Sequence, residues 1–206
     1  MKFDVNHALT WITKANEKIQ DNKDYLTSLD QAIGDGDHGI NMSRGFKETV
    51  AKLSENDYVT VSDVWKDAAM TLMSKVGGAS GPLFGTAFLK MSMASKGEEA
   101  IDYPIFIKAV EEAVEGVKQR GKATEGEKTM IDVWSPVVKK LQEASDFNAE
   151  LIRDTAKTAM EATSDLVATK GRAAYLKERS KGHLDPGSVS SYYIFDALAD
   201  SLEEGA

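Results

Sequence analysis

Hydrophobic positions recur at steps of three and four almost from one end of the chain to the other. Val5, Leu9, Ile12, Ala15 and Ile19 share one face of a helix, as do Met42, Phe46, Val50 and Leu53. The spacing repeats in Val64, Ala68, Leu72, Met73 and Val76, then in Leu83, Ala87, Phe88 and Met91, then in Ile105, Ala109, Val110, Ala113 and Val117. Met130, Val133, Trp134, Val137 and Leu141 follow, in a helix that Pro136 is expected to bend because it lacks an N–H and crowds the preceding turn. Leu151, Ile152, Thr155, Ala159, Thr163 and Leu166 make a long stripe, and Val189, Tyr192, Tyr193, Leu198 and Leu202 close the chain. No window alternates with a period of two. The pattern predicts an all-α protein of about eight helices, and the absence of long polar linkers and internal repeats predicts one domain over residues 1–206.

Glycines gather between these stripes, in "GDGDHG", "VGGASGPLFG", "RGKATEGEKT" and "KGRAAYLKERSKGHLDPGS". In an up-and-down bundle alternate connections emerge at the same end. The four clusters are therefore expected to converge into one site of loops on a rigid scaffold.

Composition narrows what that site can hold. The chain has 206 residues and a net charge of −8, which argues against nucleic acid as a partner. An anionic ligand would need a metal ion or well-placed arginines. Cysteine is absent, excluding disulfides and thiolate metal sites. The first residues, "MKFDVNHALTWITKANEKIQ", mix charge with apolar groups unlike a signal peptide, and no apolar run approaches the roughly 20 residues of a membrane span. A cytoplasmic protein without membrane partners is expected.

The stretch "AIGDGDHGIN" places Gly34, Gly36 and Gly39 at the dinucleotide spacing G-x-G-x-x-G. That reading fails, because no strand precedes it and Asp35 and Asp37 would repel a pyrophosphate. An EF-hand beginning at Asp35 would need Glu where Phe46 stands, and one beginning at Asp30 puts Ala32 and Gly34 at ligand positions. "GVKQRGKAT" nearly spells a phosphate loop, but Ala123 replaces the hydroxyl that holds magnesium.

What remains is a carboxylate cluster. Like charges about 5 Å apart repel by roughly 3 kcal/mol at an effective dielectric near 20. Asp30, Asp35 and Asp37 are tolerable together if splayed into water, with Asp37 capping a helix, or if a hard cation such as Mg²⁺ neutralises them and in turn holds phosphates. His38 reads equally as a surface residue. In "GGASGPLFG", Ser80 is a natural N-cap and Pro82 fits a first turn; the segment is either a tight interhelical turn or a set of N–H groups for phosphate. In the last cluster Arg172 and Arg179 offer cationic donors, and Asp185-Pro186-Gly187 reads as a turn, in what is otherwise a surface loop.

Taken together, "GDGDHG", "GGASGPLFGT", "GEKTMIDVWSP" and "GRAAYLKERSKGHLDPGS" resemble, in order and spacing, the nucleotide-binding L subunits of dihydroxyacetone kinases across essentially the whole chain. The resemblance implies a closed antiparallel barrel of eight helices with the nucleotide in the loops at one end. It implies that Asp30, Asp35 and Asp37 hold Mg²⁺, usually two ions. His38, Gly39, Ile40 and Asn41 would meet the phosphates and bridging metals, and Gly78, Ala79 and Ser80 would form the phosphate-facing turn. Gly121, Thr129 and Met130 would line the nucleoside, Arg172 would act catalytically near the terminal phosphate, and Asp185, Pro186 and Gly187 would close the site. Ser188 stands where many relatives have alanine.

The chain lacks an obvious general base and the domain that holds dihydroxyacetone. A free-standing L chain resembles the phosphotransferase-system-dependent type. There ADP is a tightly bound coenzyme, rephosphorylated by a phosphohistidine-carrying M subunit, and the γ-phosphate passes to dihydroxyacetone on a K subunit. Two other readings stay open: the nucleotide part of a related ATP-dependent kinase such as fatty-acid kinase, and an interaction protein contacting a transcription regulator.

Overall fold

The computed structural model describes residues 2–204 and is all-α apart from one short strand pair. The helices are α1 (Val5–Asp21), α2 (Lys23–Ile33), α3 (His38–Ser54), α4 (Val61–Lys75), α5 (Ser80–Ala94), α6 (Tyr103–Gly121), α7 (Ile131–Glu143), α8 (Ala149–Ala162) and α9 (Pro186–Glu204). Short 3₁₀ segments span Thr163–Asp165 and Arg172–Ser180, and strands β1 (Phe3–Asp4) and β2 (Ala100–Ile101) pair antiparallel.

Local chemistry starts several of these helices where the apolar stripes begin. Asp4 accepts the N–H of His7 at the head of α1, Thr60 caps α4, Asp102 caps α6 and Asn148 caps α8. Each satisfies an N–H that helix geometry leaves without a partner. Pro136 lies inside α7, which continues through it.

Two elements differ from the sequence expectation. The α2 helix has no counterpart among the sequence stripes, because it buries only Leu26 and Ile33. The stripe expected to run to Leu166 stops being α-helical at Ala162, where the 3₁₀ turn begins.

From α3 to α9 each helix packs against the next, and α1 packs against both α3 and α9, while α2 lies across α3 and α9. The interior is filled by aromatic rings: Trp11 lies 5.5 Å from Phe88 and 6.3 Å from Trp65, and Phe3 lies 5.2 Å from Phe106. Buried Trp11 and Trp134 satisfy their indole N–H groups on α9, at the Ile194 carbonyl and the Ser191 hydroxyl. Outside, Arg153 joins Asp196, Asp200 and Glu203, and Lys18 joins Asp196 and Asp200, so α9 is tied to α8 and α1. Among the described residues no helix is long and apolar enough to cross a membrane.

Candidate functional site

The helix order brings four N-termini together. The starts of α3, α5, α7 and α9 all border one cavity of about 720 Å³, with the Gly-rich connections between them as its walls. Each helix start presents N–H groups and the positive end of a dipole, so the cavity favours negative charge in a chain that is acidic overall.

At its floor, Asp30, Asp35 and Asp37 each offer an oxygen, and these oxygens lie within 4.8 Å of one another. The cluster exists because α2 ends beside the start of α3. One carboxylate oxygen of Asp30 accepts the N–H groups of Asp37 at 2.9 Å and His38 at 3.1 Å. Asp30, not Asp37, therefore caps α3, and the Asp37 side chain makes no capping bond. That corrects the capping alternative and leaves Asp37 for another task. Three hard oxygen donors of one sign, two of them exposed, fit a small divalent cation of the Mg²⁺ kind.

The neighbouring residues are placed by close packing. A side chain at Gly39 would collide with the Lys23 carbonyl and with Thr27, so glycine lets α2 lie directly on the first turn of α3. Gly39 and Ile40 do not line the cavity; Gly39 is buried against α2 and Ile40 is exposed. His38 is buried, with Nε2 2.7 Å from the Ser190 hydroxyl and Nδ1 3.2 Å from that of Ser80. Burial holds its pKa below the usual histidine value, against the pull of Asp30 and Asp37. Ser80 is thus not the N-cap of α5. It is the first helical residue, Ala79 precedes it, and its hydroxyl orients the imidazole. Gly78 has φ of +64°, a backbone that favours glycine and turns the 77–80 segment towards the cavity. Asn41 lies against Gly77, where a side chain would meet its amide oxygen, and that oxygen accepts from Arg44, which also donates to the Lys75 carbonyl at the end of α4 at 2.9 Å.

Opposite the carboxylates, Leu83, Phe84, Val117, Met130 and Ile131 line an apolar slot beside Gly121 and Thr129. Sequence reasoning found Gly121, Thr129 and Met130 but not the aliphatic and aromatic walls, which there read only as helix stripes. It also missed Lys128, Lys170 and Arg120, which border the same cavity. Arg172 reaches over the acidic turn, with its guanidinium 2.9 Å from the Asp35 carboxylate.

Asp185 closes the last side. Its carboxylate accepts the Ser188 N–H at 2.7 Å and lies 2.9 Å from the Ser188 hydroxyl, which itself donates to the Thr129 carbonyl at 2.8 Å. Ser188 therefore links the Asp185 turn to the apolar slot, a connection that alanine would not make. Burial pushes the Asp185 pKa up to about 6, with Asp132 adding to the rise and Ser188 and Lys128 opposing it. Its folded pKa thus lies above the unfolded value near 3.8, so the folded state binds more protons between these limits and stability falls as pH rises through that window. Asp185→Asn keeps the cap but cannot ionise. Its melting temperature should match wild type near pH 4 and exceed it by a few degrees at pH 7, in paired thermal melts; a constant difference across that range would contradict the assignment.

The chain belongs to the DAK2 domain family, which matches residues 32–200. Along nearly its whole length it is similar to ADP-binding DhaL subunits. It is 52% identical to that of the PEP-dependent dihydroxyacetone kinase 1 of Listeria innocua, over 96% of this chain and 97% of the relative. It is 48% identical to that of the PTS-dependent dihydroxyacetone kinase of Lactococcus lactis, over 95% and 97%. The dihydroxyacetone kinase from C. freundii, solved in complex with AMP-PNP and Mg²⁺, superposes with a TM-score of 0.72 at 24% identity. The match covers 96% of this chain but 33% of that one, and it establishes the shared helical fold.

Proposed function

We propose that this chain is the ADP-binding subunit of a dihydroxyacetone kinase, working in the cytoplasm with a phosphohistidine-carrying M subunit and a dihydroxyacetone-binding K subunit. ADP would be its resident coenzyme, taking a phosphoryl group from M and supplying it as a γ-phosphate to dihydroxyacetone. The observation that carries the reading is the pairing, in one cavity of about 720 Å³, of a carboxylate trio fit for Mg²⁺ with an apolar slot lined by Leu83, Phe84, Val117, Met130 and Ile131. The near full-length similarity to subunits named for ADP binding supports it.

The single domain is also proposed to be a closed antiparallel barrel. The packing order α1, α3, α4, α5, α6, α7, α8, α9 and back to α1 supports closure, with the nucleotide end defined by the four helix starts.

Each group has a task in this reading. Asp30, Asp35 and Asp37 would hold Mg²⁺, which would neutralise charge on the phosphate tail of the nucleotide. The 77–80 turn and the α5 start would bind phosphate oxygens through N–H groups, and His38, neutral through burial, would fix the Ser80 and Ser190 hydroxyls. Leu83, Met130 and Ile131 would hold the base, and Arg172 would stabilise charge on the phosphoryl group in transfer.

The resident-coenzyme mode is tested by loading the protein with labelled ADP and diluting it into excess unlabelled nucleotide. Label should persist through many turnovers of dihydroxyacetone phosphorylation with K and M present. Loss of label within a turnover would favour exchangeable ATP instead.

A further inference from the structure

Lys128 is buried to 1% exposure in the wall of the cavity, a rare position for an ammonium group. Its backbone is also unusual, with φ of +61° at a residue that has a side chain. Strain of this kind persists where the surroundings fix it, and often at functional sites. The surroundings are clear. Its Nζ donates to the Thr163 carbonyl at 2.7 Å and to the Leu166 carbonyl at 3.1 Å, beyond the end of α8. Burial lowers its pKa, and Asp185 and Asp165 oppose that shift. On either side, the Glu127 carbonyl accepts the Thr169 N–H and the Thr129 carbonyl accepts the Ser188 hydroxyl. The lysine thus ties the loop carrying Thr129 and Met130 to the segment after α8 that leads to Arg172, while its chain neighbours Glu127 and Thr129 tie the same loop to Thr169 and to the Asp185 turn.

We propose that Lys128 is a positioning residue for the nucleoside side of the site, acting through the two carbonyls it holds and not by touching the phosphates. The inference rests on the nucleotide-binding reading above. A neutral side chain of similar length would take the ammonium donor from the Leu166 carbonyl and leave the Thr163 carbonyl only the Leu166 N–H, releasing the strained loop so that Met130 and the slot drift while the carboxylate trio stays in place.

The test compares Lys128→Met and Lys128→Arg with the full-length wild type in two binding measurements. One is the dissociation rate of labelled ADP in the presence of Mg²⁺; the other is the affinity for Mg²⁺-tripolyphosphate, which has no nucleoside. Lys128→Met should release ADP at least tenfold faster yet bind tripolyphosphate within twofold of wild type, and Lys128→Arg should recover most of the retention. Unchanged ADP release in Lys128→Met would overturn the proposal, as would an equal loss for both ligands. Wild-type protein that retains no ADP at all would instead bring down the nucleotide reading, and this inference with it.

Discussion

Asp37→Asn is expected to weaken Mg²⁺-dependent ADP retention by on the order of a hundredfold, about 3 kcal/mol for one lost carboxylate ligand. It should do so without unfolding the protein, because the Asp37 side chain does not cap α3. The sign of its effect on stability should depend on the metal. Without divalent cations the three clustered carboxylates repel, although solvent at Asp35 and Asp37 and the Arg172 partner of Asp35 reduce that cost. Removing one charge should then leave the melting temperature unchanged or raised. With Mg²⁺ and ADP present the order should reverse, since only wild type gains the full binding energy. Asp30→Ala provides the contrast: it loses the ligand and also the bonds to the N–H groups of Asp37 and His38, so it should be less stable by about 1 kcal/mol, and melt lower, under both conditions. Thermal melts with and without Mg²⁺-ADP, beside a labelled-ADP retention assay, read all of this. Wild-type retention in Asp37→Asn would remove the residue from the metal site.

The contrast between Asp30 and Asp37 shows where the sequence is legible and where it is not. The acidic cluster stands out in the primary structure because like charges at that density need a reason. Which aspartate caps the helix does not stand out, because the answer depends on α2 ending against α3, and α2 has too few buried residues to announce itself. The aliphatic stripes, with Phe46, Phe88 and Trp134 among them, predict the helices because core burial and periodicity are the same fact seen twice. Lys128 is the opposite case. A lysine in a glycine-rich loop reads as solvated, and only the carbonyls of Thr163 and Leu166, distant in sequence, give a reason for burying it. Gly39 differs again: a phosphate-contact role comes from family resemblance, while the space around it explains the glycine by helix packing alone.

Arg172 should separate holding the nucleotide from using it. Its side chain is 68% exposed at the edge of the cavity, and among the described residues it pairs with Asp35. An exposed pair of that kind contributes little to stability, so Arg172→Ala should leave the fold and the resting ADP affinity nearly intact, within about tenfold. Transfer is different. Charge spreads over the phosphoryl oxygens in the transition state, and a planar donor placed there is worth roughly a thousandfold in rate, about 4 kcal/mol. Arg172→Lys keeps the charge but not the forked donor and should fall between alanine and wild type. The measurement is single-turnover phosphorylation of dihydroxyacetone by the reloaded subunit with K present, run beside ADP retention. If retention collapses together with transfer, Arg172 serves to hold Asp35 in the metal turn. If transfer alone falls, the guanidinium leaves its carboxylate for the moving phosphoryl group, and the acidic turn and the loop across from it work as the two halves of one charge-neutralising clamp.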